Sequence, residues 1–490
     1  MNLATARSMR RAREVGVRKA VGAGKRSLVG QFMGESLLLV FIAFVLAMGL
    51  VAAALPVFNG LTEKSVAIAD LHDSTLLLFA GIGLLTALIS GTYPALYLSS
   101  FDAVRILRGT FRLDGGSARL RKGLVVFQFS MSILLVIGTV TVYQQIRYIH
   151  SKHLGLDREN VIYLSLEGQM GEQFDTIKEE LLRRPGIASV SSASSSPLDI
   201  GSSTHSVSWQ GKDPDREIEM YILTVSFDFL DVMKIELAEG RDFDPGFGTD
   251  SVTYILNEKA RQVIGFEHPL GERLSLWGGG DAGTVVGVVK DFHMSSLYSE
   301  IEPTIIRLRP QDAGRLFLRT EPGRTHDALV SLEEVYDRFN PESPFEYQFL
   351  DETFHQTYRS EVVIGKLAGY FTVVALFIAC LGLFGLAAFT AQQRTKEIGV
   401  RKVFGATVSN LVLLLSKDFV ALVLIAFVGA VPLAYIAMQR WLEGFAYRIE
   451  IGPSVFILVG AAVLLIALLT VGYQSVRAAL ADPVKSLRYE

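Results

Sequence analysis

Six uninterrupted apolar runs, near 36–56, 74–98, 124–143, 367–390, 411–438 and 455–480, frame this chain. Each is long enough to cross about 30 Å of hydrocarbon as a helix. The weakest is 411–438, where Ser416, Lys417 and Asp418 interrupt one end and leave an apolar stretch from 419 to 438. Between the third and fourth runs the pattern changes. Residues 160–166 (NVIYLSL) and 283–289 (GTVVGVV) alternate as strands do, whereas 171–184 and 326–339 carry helical periodicity. The predicted fold class is therefore a membrane α-helical protein with six transmembrane helices and one α+β extracytoplasmic domain. Within that domain the stretch 191–206 (SSASSSPLDIGSSTHS) has too little apolar content to pack, and a mobile loop is expected there.

Charge orients the runs, because Lys and Arg in short loops mark the cytoplasmic side. Residues 1–30 carry eight basic residues and one acid, Glu14; 99–122 carry six against two; 391–410 carry four against one. If every run crosses, these segments and the C-terminus, with Arg477, Lys485 and Arg488, share one side. That side is expected to be the cytoplasm of a bacterial inner membrane, with both termini in it and 148–360 in the periplasm. The 148–360 segment holds 20 basic and 36 acidic residues, so the near-neutral net charge of −3 for all 490 residues conceals a strong partition. Acidity alone suits solubility and names no substrate. The single cysteine, Cys380, sits in an apolar run and can form no intrachain disulfide. The basic stretch 1–26 has no short apolar core with a small-residue cleavage site, so the first apolar run is expected to act as the insertion signal.

An internal repeat organises the membrane part. Residues 13–23 (REVGVRKAVGA) match 396–406 (KEIGVRKVFGA) at seven of eleven positions. At the same offset Glu35 meets Asp418, a carboxylate near the start of the following run in each copy. Local pairing, with Lys417 as a neighbour, or stabilisation of a helix N-terminus is expected there. After a gap of three residues Tyr93 aligns with Tyr473, and 101–108 (FDAVRILR) with 481–488 (ADPVKSLR). The second copy follows a pair of runs that bracket the external domain; the first does not. Its opening residues read as the tail of a missing span, and a truncated first half or an internal start at Met1 is expected.

The repeat also disposes of a tempting motif. Residues 21–27 (VGAGKRS) contain a Gly-Lys pair like that of a phosphate-binding loop, but Arg26 stands where the hydroxyl belongs and Lys19 where the first glycine belongs. The second copy drops the pair, reading Gly405, Ala406, Thr407 and Val408. What both copies keep is a short basic helix: Glu14 and Arg18 lie four apart, Val17 and Val21 form an apolar strip, and Gly22 ends it. Glu397, Arg401, Val400 and Phe404 repeat the arrangement. Such a helix suits a groove in a partner protein. Anionic membrane lipids are the alternative neighbour, and retention of the glycines and carboxylate in two distant copies favours the groove.

Catalytic chemistry is thin. His205, His268 and His293 are scattered without metal-ligand spacing, and the external segment holds no H-E-x-x-H or G-x-S-x-G. Lys290, Asp291 and His293 form its best polar cluster, just after a strand, where a strand and turn are the plainer reading. No catalytic residue, metal, cofactor or nucleic-acid partner is expected; the chain reads as no enzyme.

The two EVGVRKAVGA and EIGVRKVFGA blocks, each followed by two spans and closed by FDAVRILR or DPVKSLR, resemble the FtsX-like permeases of ABC transporters. Residues 227–243, 257–274 and 285–306 are similar to the MacB-type periplasmic core domain. The resemblance implies a division into 1–110, an incomplete first permease unit with two spans; 111–147, a cytoplasmic linker and span; 148–360, the periplasmic core domain; and 361–490, a second unit with three spans. It implies a separate cytoplasmic ABC ATPase as partner, contacted through Glu14, Gly16, Val17, Arg18, Lys19 and Gly22 and through Glu397, Gly399, Val400, Arg401, Lys402 and Gly405. A periplasmic adaptor or a second permease copy are further candidate partners. ATP-driven closure would move the external domain and export or extract a substrate; the alternative is a regulatory protein that controls an envelope hydrolase.

Overall fold

The structure, a computed structural model, describes residues 18–19, 21–70, 72–99, 115–152, 154–213, 215–277, 281–294 and 297–480. The chain divides into two compact units, one of Met1–Val142, Val363–Gln439 and Ile451–Glu490, the other of Tyr143–Val362 with Arg440–Glu450.

In the first unit, five helices among the described residues are long and apolar enough to cross a membrane: Arg26–Thr62, Arg121–Ser151, Arg359–Gln393, Val408–Leu442 and Pro453–Leu480. The expected sixth span, 74–98, folds as the helix Asp73–Ser99. Its apolar part within the searched residues, Asp73–Ile89, falls short of a span. The helix Val408–Leu442 runs unbroken through Ser416, Lys417 and Asp418.

Spacing of small and branched residues determines how these helices pack. Val455, Val459, Val463, Ala467 and Val471 recur every four residues and are buried together with Phe129, Ile133 and Ile137, Ala379, Leu383 and Ala387, and Ala426, Ala430 and Ala434. Alanine and valine let backbones approach closely, which is how helices associate in a solvent as apolar as their own side chains. Ser130 Oγ donates to the Ala426 carbonyl at 3.2 Å, and Thr139 and Thr372 hydroxyls meet at 2.9 Å. The outward positions stay apolar, as Phe377, Leu424, Val428 and Leu469 show. A helix that is hydrophobic all round suits hydrocarbon. In the hairpin of Lys25–Thr62 and Asp73–Ser99, a Cβ at Gly91 would come within 2.9 Å of Ser36 Oγ, so the glycine permits the close approach.

The second unit is built on one mixed sheet. Its strands are β1 (Val161–Ser165), β2 (Ile187–Ala193), β3 (Ser203–Thr204), β4 (Ser208–Trp209), β5 (Met220–Val225), β6 (Leu237–Gly240), β7 (Thr253–Asn257), β8 (Arg273–Leu276), β9 (Asp281–Val289), β10 (Thr304–Leu308), β11 (Arg315–Thr320) and β12 (Gln348–Phe349). They are ordered β12-β1-β11-β2-β5-β10-β7-β9-β8-β4, with β3 on β5 and β6 on β9. The pairs β5–β10 and β7–β9 are parallel; the other neighbours are antiparallel. Period-2 alternation sends Ile162, Leu164, Leu316 and Leu318 to one face, where the helices Phe174–Leu182 and Thr325–Phe339 cover them. Tyr163, Phe317, Leu223 and Ile306 go to the other face, with Phe229, Phe292, Phe354 and Tyr358. Phe445 belongs to that same core, which is why Arg440–Glu450 packs with this unit.

The structure corrects the mobile loop expected over 191–206. Ser191 and Ser192 are fully buried in the interior strand β2, and residues 203–204 form β3. Polar side chains can be buried when they are paired: Ser191 Oγ lies 2.9 Å from Ser226 Oγ, and the Ser192 amide donates to that hydroxyl at 2.8 Å. Composition identified residues unable to make an apolar core, yet Ser191 is held through its hydroxyl and Ser192 through its backbone amide, while the Ser192 hydroxyl finds no partner among the described residues.

Candidate functional site

The block 396–406 folds as the helix Thr395–Val403. Glu397 and Arg401, one turn apart, form an ion pair at 2.8 Å on its exposed side. The helix stops at Gly405 in the left-handed region, φ +88°, where the absence of a Cβ removes the steric penalty. The Gly405 amide donates to the Lys402 carbonyl at 3.1 Å and the Ala406 amide to Arg401 at 3.0 Å. This pair of bonds is the Schellman stop, which satisfies the last carbonyls of a helix.

The first copy repeats the stop at the offset of the sequence repeat. Gly22 has φ +99°, its amide donates to Lys19 at 3.0 Å, and the Ala23 amide donates to Arg18 at 2.9 Å. The shared Arg-Lys and Gly-Ala positions thus encode the same backbone stop twice. Arg18 also donates to Gln31 Oε1 at 2.6 Å, and Gln31 donates to Glu35 at 3.2 Å. Glu14, Gly16 and Val17 lie outside the described residues.

In the second copy, the carboxylate of Asp418 meets Arg394 at 3.1 Å and not its neighbour Lys417. Successive helical residues diverge by about 100° around the axis, whereas Arg394 comes from the start of the preceding helix, Thr395–Val403. Lys402 Nζ donates to the Ala479 carbonyl at 2.9 Å, and Ile398 is buried with Leu411, Leu415 and Ala479. Gly399 is also buried. One side of the helix is therefore anchored. Its other side leaves apolar surface uncovered: Val400 is 43% exposed, Val403 66% and Phe404 86%, while Val21 in the first copy is 84% exposed.

The polar cluster in the sheet unit disperses. Lys290 pairs with Glu236. Asp291 Oδ1 accepts from the Lys259 amide at 2.8 Å. The His293 ring is buried against Tyr447, with centroids 4.7 Å apart. His205 and His268 are exposed, and no group of metal-ligating residues occurs among the described residues.

Two buried groups here give a pH signature. Burial, aided by the charge of Lys152, drives the His293 pKa from 6.5 down to about 4. Its unfolded form takes up a proton first, so this contribution is present above pH 6.5 and is lost as pH falls towards 4, by about 3 kcal/mol. Burial, with Asp228 and Asp231 adding repulsion, raises Asp242 from 3.8 to about 6. Its folded form protonates first, so its contribution is full below pH 3.8 and is lost as pH rises through 6. The two slopes oppose one another. In denaturation between pH 6.5 and 4, His293→Gln should make the protein relatively more stable in acid and Asp242→Asn relatively less; parallel shifts for both variants would contradict the assignment.

Comparison with known proteins places these features. The family model described as "FtsX-like permease C-terminal" matches residues 1–103 and 369–483, covering both copies of the repeat. The chain is 21% identical over 301 residues to the uncharacterized ABC transporter permease YknZ of Bacillus subtilis (strain 168), across 58% of this chain and 74% of that protein. Among solved structures, the periplasmic region of MacB from Actinobacillus actinomycetemcomitans aligns at 17% identity with a TM-score of 0.31, over 43% of this chain and 97% of that one. The extracellular domain of YknZ from Gram-positive bacteria aligns at 14% identity and 0.29, over 39% and 98%.

Proposed function

We propose that this chain, both copies of whose repeat are matched by the FtsX-like permease model, is the membrane subunit of an ABC transporter driven by a separate cytoplasmic ATPase. The family is one of multi-pass membrane permeases and implies such a partner. The observation that carries it is the duplicated basic block, ended in both copies by the same two-bond stop, whose second copy leaves Val400, Val403 and Phe404 uncovered beside an anchored face. A rigid helix with apolar side chains aligned on one face is what a groove in another protein recognises.

The charge partition supports a cytoplasmic position for this helix and an external one for the sheet unit. In the proposed cycle, closure of the ATPase pushes on Thr395–Val403 and on its counterpart around Arg18 and Lys19. Lys402 and Ile398 tie the second copy to the end of the helix Pro453–Leu480. Movement of the spans then displaces the extracytoplasmic unit and exports or extracts a substrate. No step of this cycle asks the chain itself for catalytic chemistry. Candidate contact residues are Arg18, Lys19 and Gly22 with Glu14, Gly16 and Val17 of the same block, and Glu397, Gly399, Val400, Arg401, Lys402 and Gly405.

The test is copurification of the full chain with candidate ABC ATPase subunits of the same organism, followed by ATP turnover in liposomes. A stable complex with turnover higher than that of the ATPase alone is expected. Failure to associate, in the presence or absence of nucleotide, would overturn the reading.

A further inference from the structure

A cavity of about 330 Å³ opens beside the helix Thr395–Val403, between the ends of Arg359–Gln393 and Pro453–Leu480. Lys402 and Arg477 line it together with Gln392, Gln474 and Thr395, and no acidic residue does. Arg477 makes no hydrogen bond or ion pair among the described residues, although its guanidinium carries five donors. Gln474 is only 8% exposed, and its carboxamide likewise makes no hydrogen bond among the described residues. Its carboxamide is therefore free to donate to a bound group. The cavity thus combines positive charge, unfilled donor capacity and a buried polar group at its wall.

The repeat adds a second line of argument. At the offset set by Tyr93 and Tyr473, Gln474 corresponds to Pro94 and Arg477 to Tyr97. The two polar residues are absent from the first copy, while Lys19 and Lys402 are present in both. A role shared by the two copies, such as contact with an ATPase, does not account for Gln474 and Arg477.

We propose that this cavity binds the phosphate head group of an anionic phospholipid. The ligand chemistry is a phosphate monoanion: Arg477 and Lys402 supply charge, and Gln474 donates its amide to a phosphate oxygen. The lipid source follows from position. The cavity lies at the ends of two helices long and apolar enough to span, where acyl chains reach the apolar helix surfaces and basic pockets between such helices hold lipid head groups. The lipid would brace the helix Thr395–Val403 against the span ends, linking membrane composition to the position of that helix. The proposal needs only that these helices cross a membrane, and it stands whether or not an ATPase docks there.

The experiment is native mass spectrometry of the purified full chain in detergent, titrated with phosphatidylglycerol or zwitterionic phosphatidylethanolamine. Retention of phosphatidylglycerol is expected to exceed that of phosphatidylethanolamine about tenfold, and Arg477→Gln should reduce this preference about fivefold. Gln474→Ala should also weaken retention, Arg477→Lys should keep most of it, and Arg26→Gln, the same charge change outside the cavity, should leave it unchanged. If Arg477→Gln does not elute as a folded species, Gln474→Ala and Arg477→Lys carry the comparison. Equal retention of both lipids, or loss equal to that in Arg26→Gln, would overturn the proposal. Displacement of phosphatidylglycerol by millimolar inorganic phosphate would overturn the lipid assignment in favour of a soluble phosphate compound.

Discussion

Phe404→Asp should abolish stimulation of the partner ATPase while leaving the permease inserted and folded. Phe404 is 86% exposed and follows the last residue of the helix Thr395–Val403, so the substitution removes no internal contact of consequence. Large apolar side chains that fill a pocket on a partner carry most of the binding energy of an interface, at 2 kcal/mol or more each, which is roughly 30-fold or more in affinity. A carboxylate placed in an apolar groove adds a desolvation cost. ATP turnover titrated against permease concentration reads the effect directly. Phe404→Leu should recover most of it, since shape and apolarity persist. Normal stimulation by the Asp variant would remove Phe404 from the interface, and unchanged stimulation with Val400→Asp and Val403→Asp as well would remove this helix face altogether.

Arg319→Met should destabilise the sheet unit by about 3–5 kcal/mol, the cost of breaking a buried, multiply bonded charge. Arg319 lies on β11 and is almost fully buried. Its Nε donates to the Val232 carbonyl at 2.7 Å, Nη1 to Glu159 at 2.7 Å and Nη2 to Asp157 at 2.6 Å, and the Asp157 carboxylate stands 3.3 Å away. One guanidinium thus satisfies the end of the helix Phe229–Met233 and the turn before β1. Methionine fills similar volume but orphans three carbonyls, each costly to bury unpaired. Burial lowers the Arg319 pKa, against the opposing charges of Asp157 and Asp231, yet guanidinium remains charged at every ordinary pH. Arg319→Lys should recover only part of the loss, because one ammonium cannot reproduce the fork that reaches three acceptors. Pulse proteolysis of the full chain in urea measures the shift; a loss below about 1 kcal/mol for the Met variant would show that water or rearrangement satisfies those carbonyls.

The parts of the molecule legible in the sequence are those governed by local rules. Strands at 161–165 and 281–289 and the helices Phe174–Leu182 and Thr325–Phe339 emerge where periodicity predicted them. Gly22 and Gly405 were readable as stops because only a residue without a Cβ adopts φ near +90° at no steric cost. The expected pairing of Glu397 with Arg401 follows from helical spacing alone.

The misreadings share a cause. Ser191 and Ser192 looked like loop because composition scores a serine by its own polarity, yet their fate depends on Ser226, more than thirty positions away. Asp418 was expected beside Lys417 and pairs with Arg394, 24 residues earlier at the start of the helix Thr395–Val403. Gln474 and Arg477 drew no notice because nothing near them in sequence marks a site; the signal available was their departure from Pro94 and Tyr97 in the other copy.

The sequence by itself determined the apolar runs, the repeat, the charge partition and the stop that ends the basic helix. Each depends on residue type and short spacing. The tertiary structure alone decided which face of that helix is anchored and which is bare, which serines join the sheet, and which charges border the cavity at Arg477. Those outcomes depend on groups brought together from distant positions, and the free energy of a buried polar group is fixed by its partner in space, whatever its neighbours in the chain.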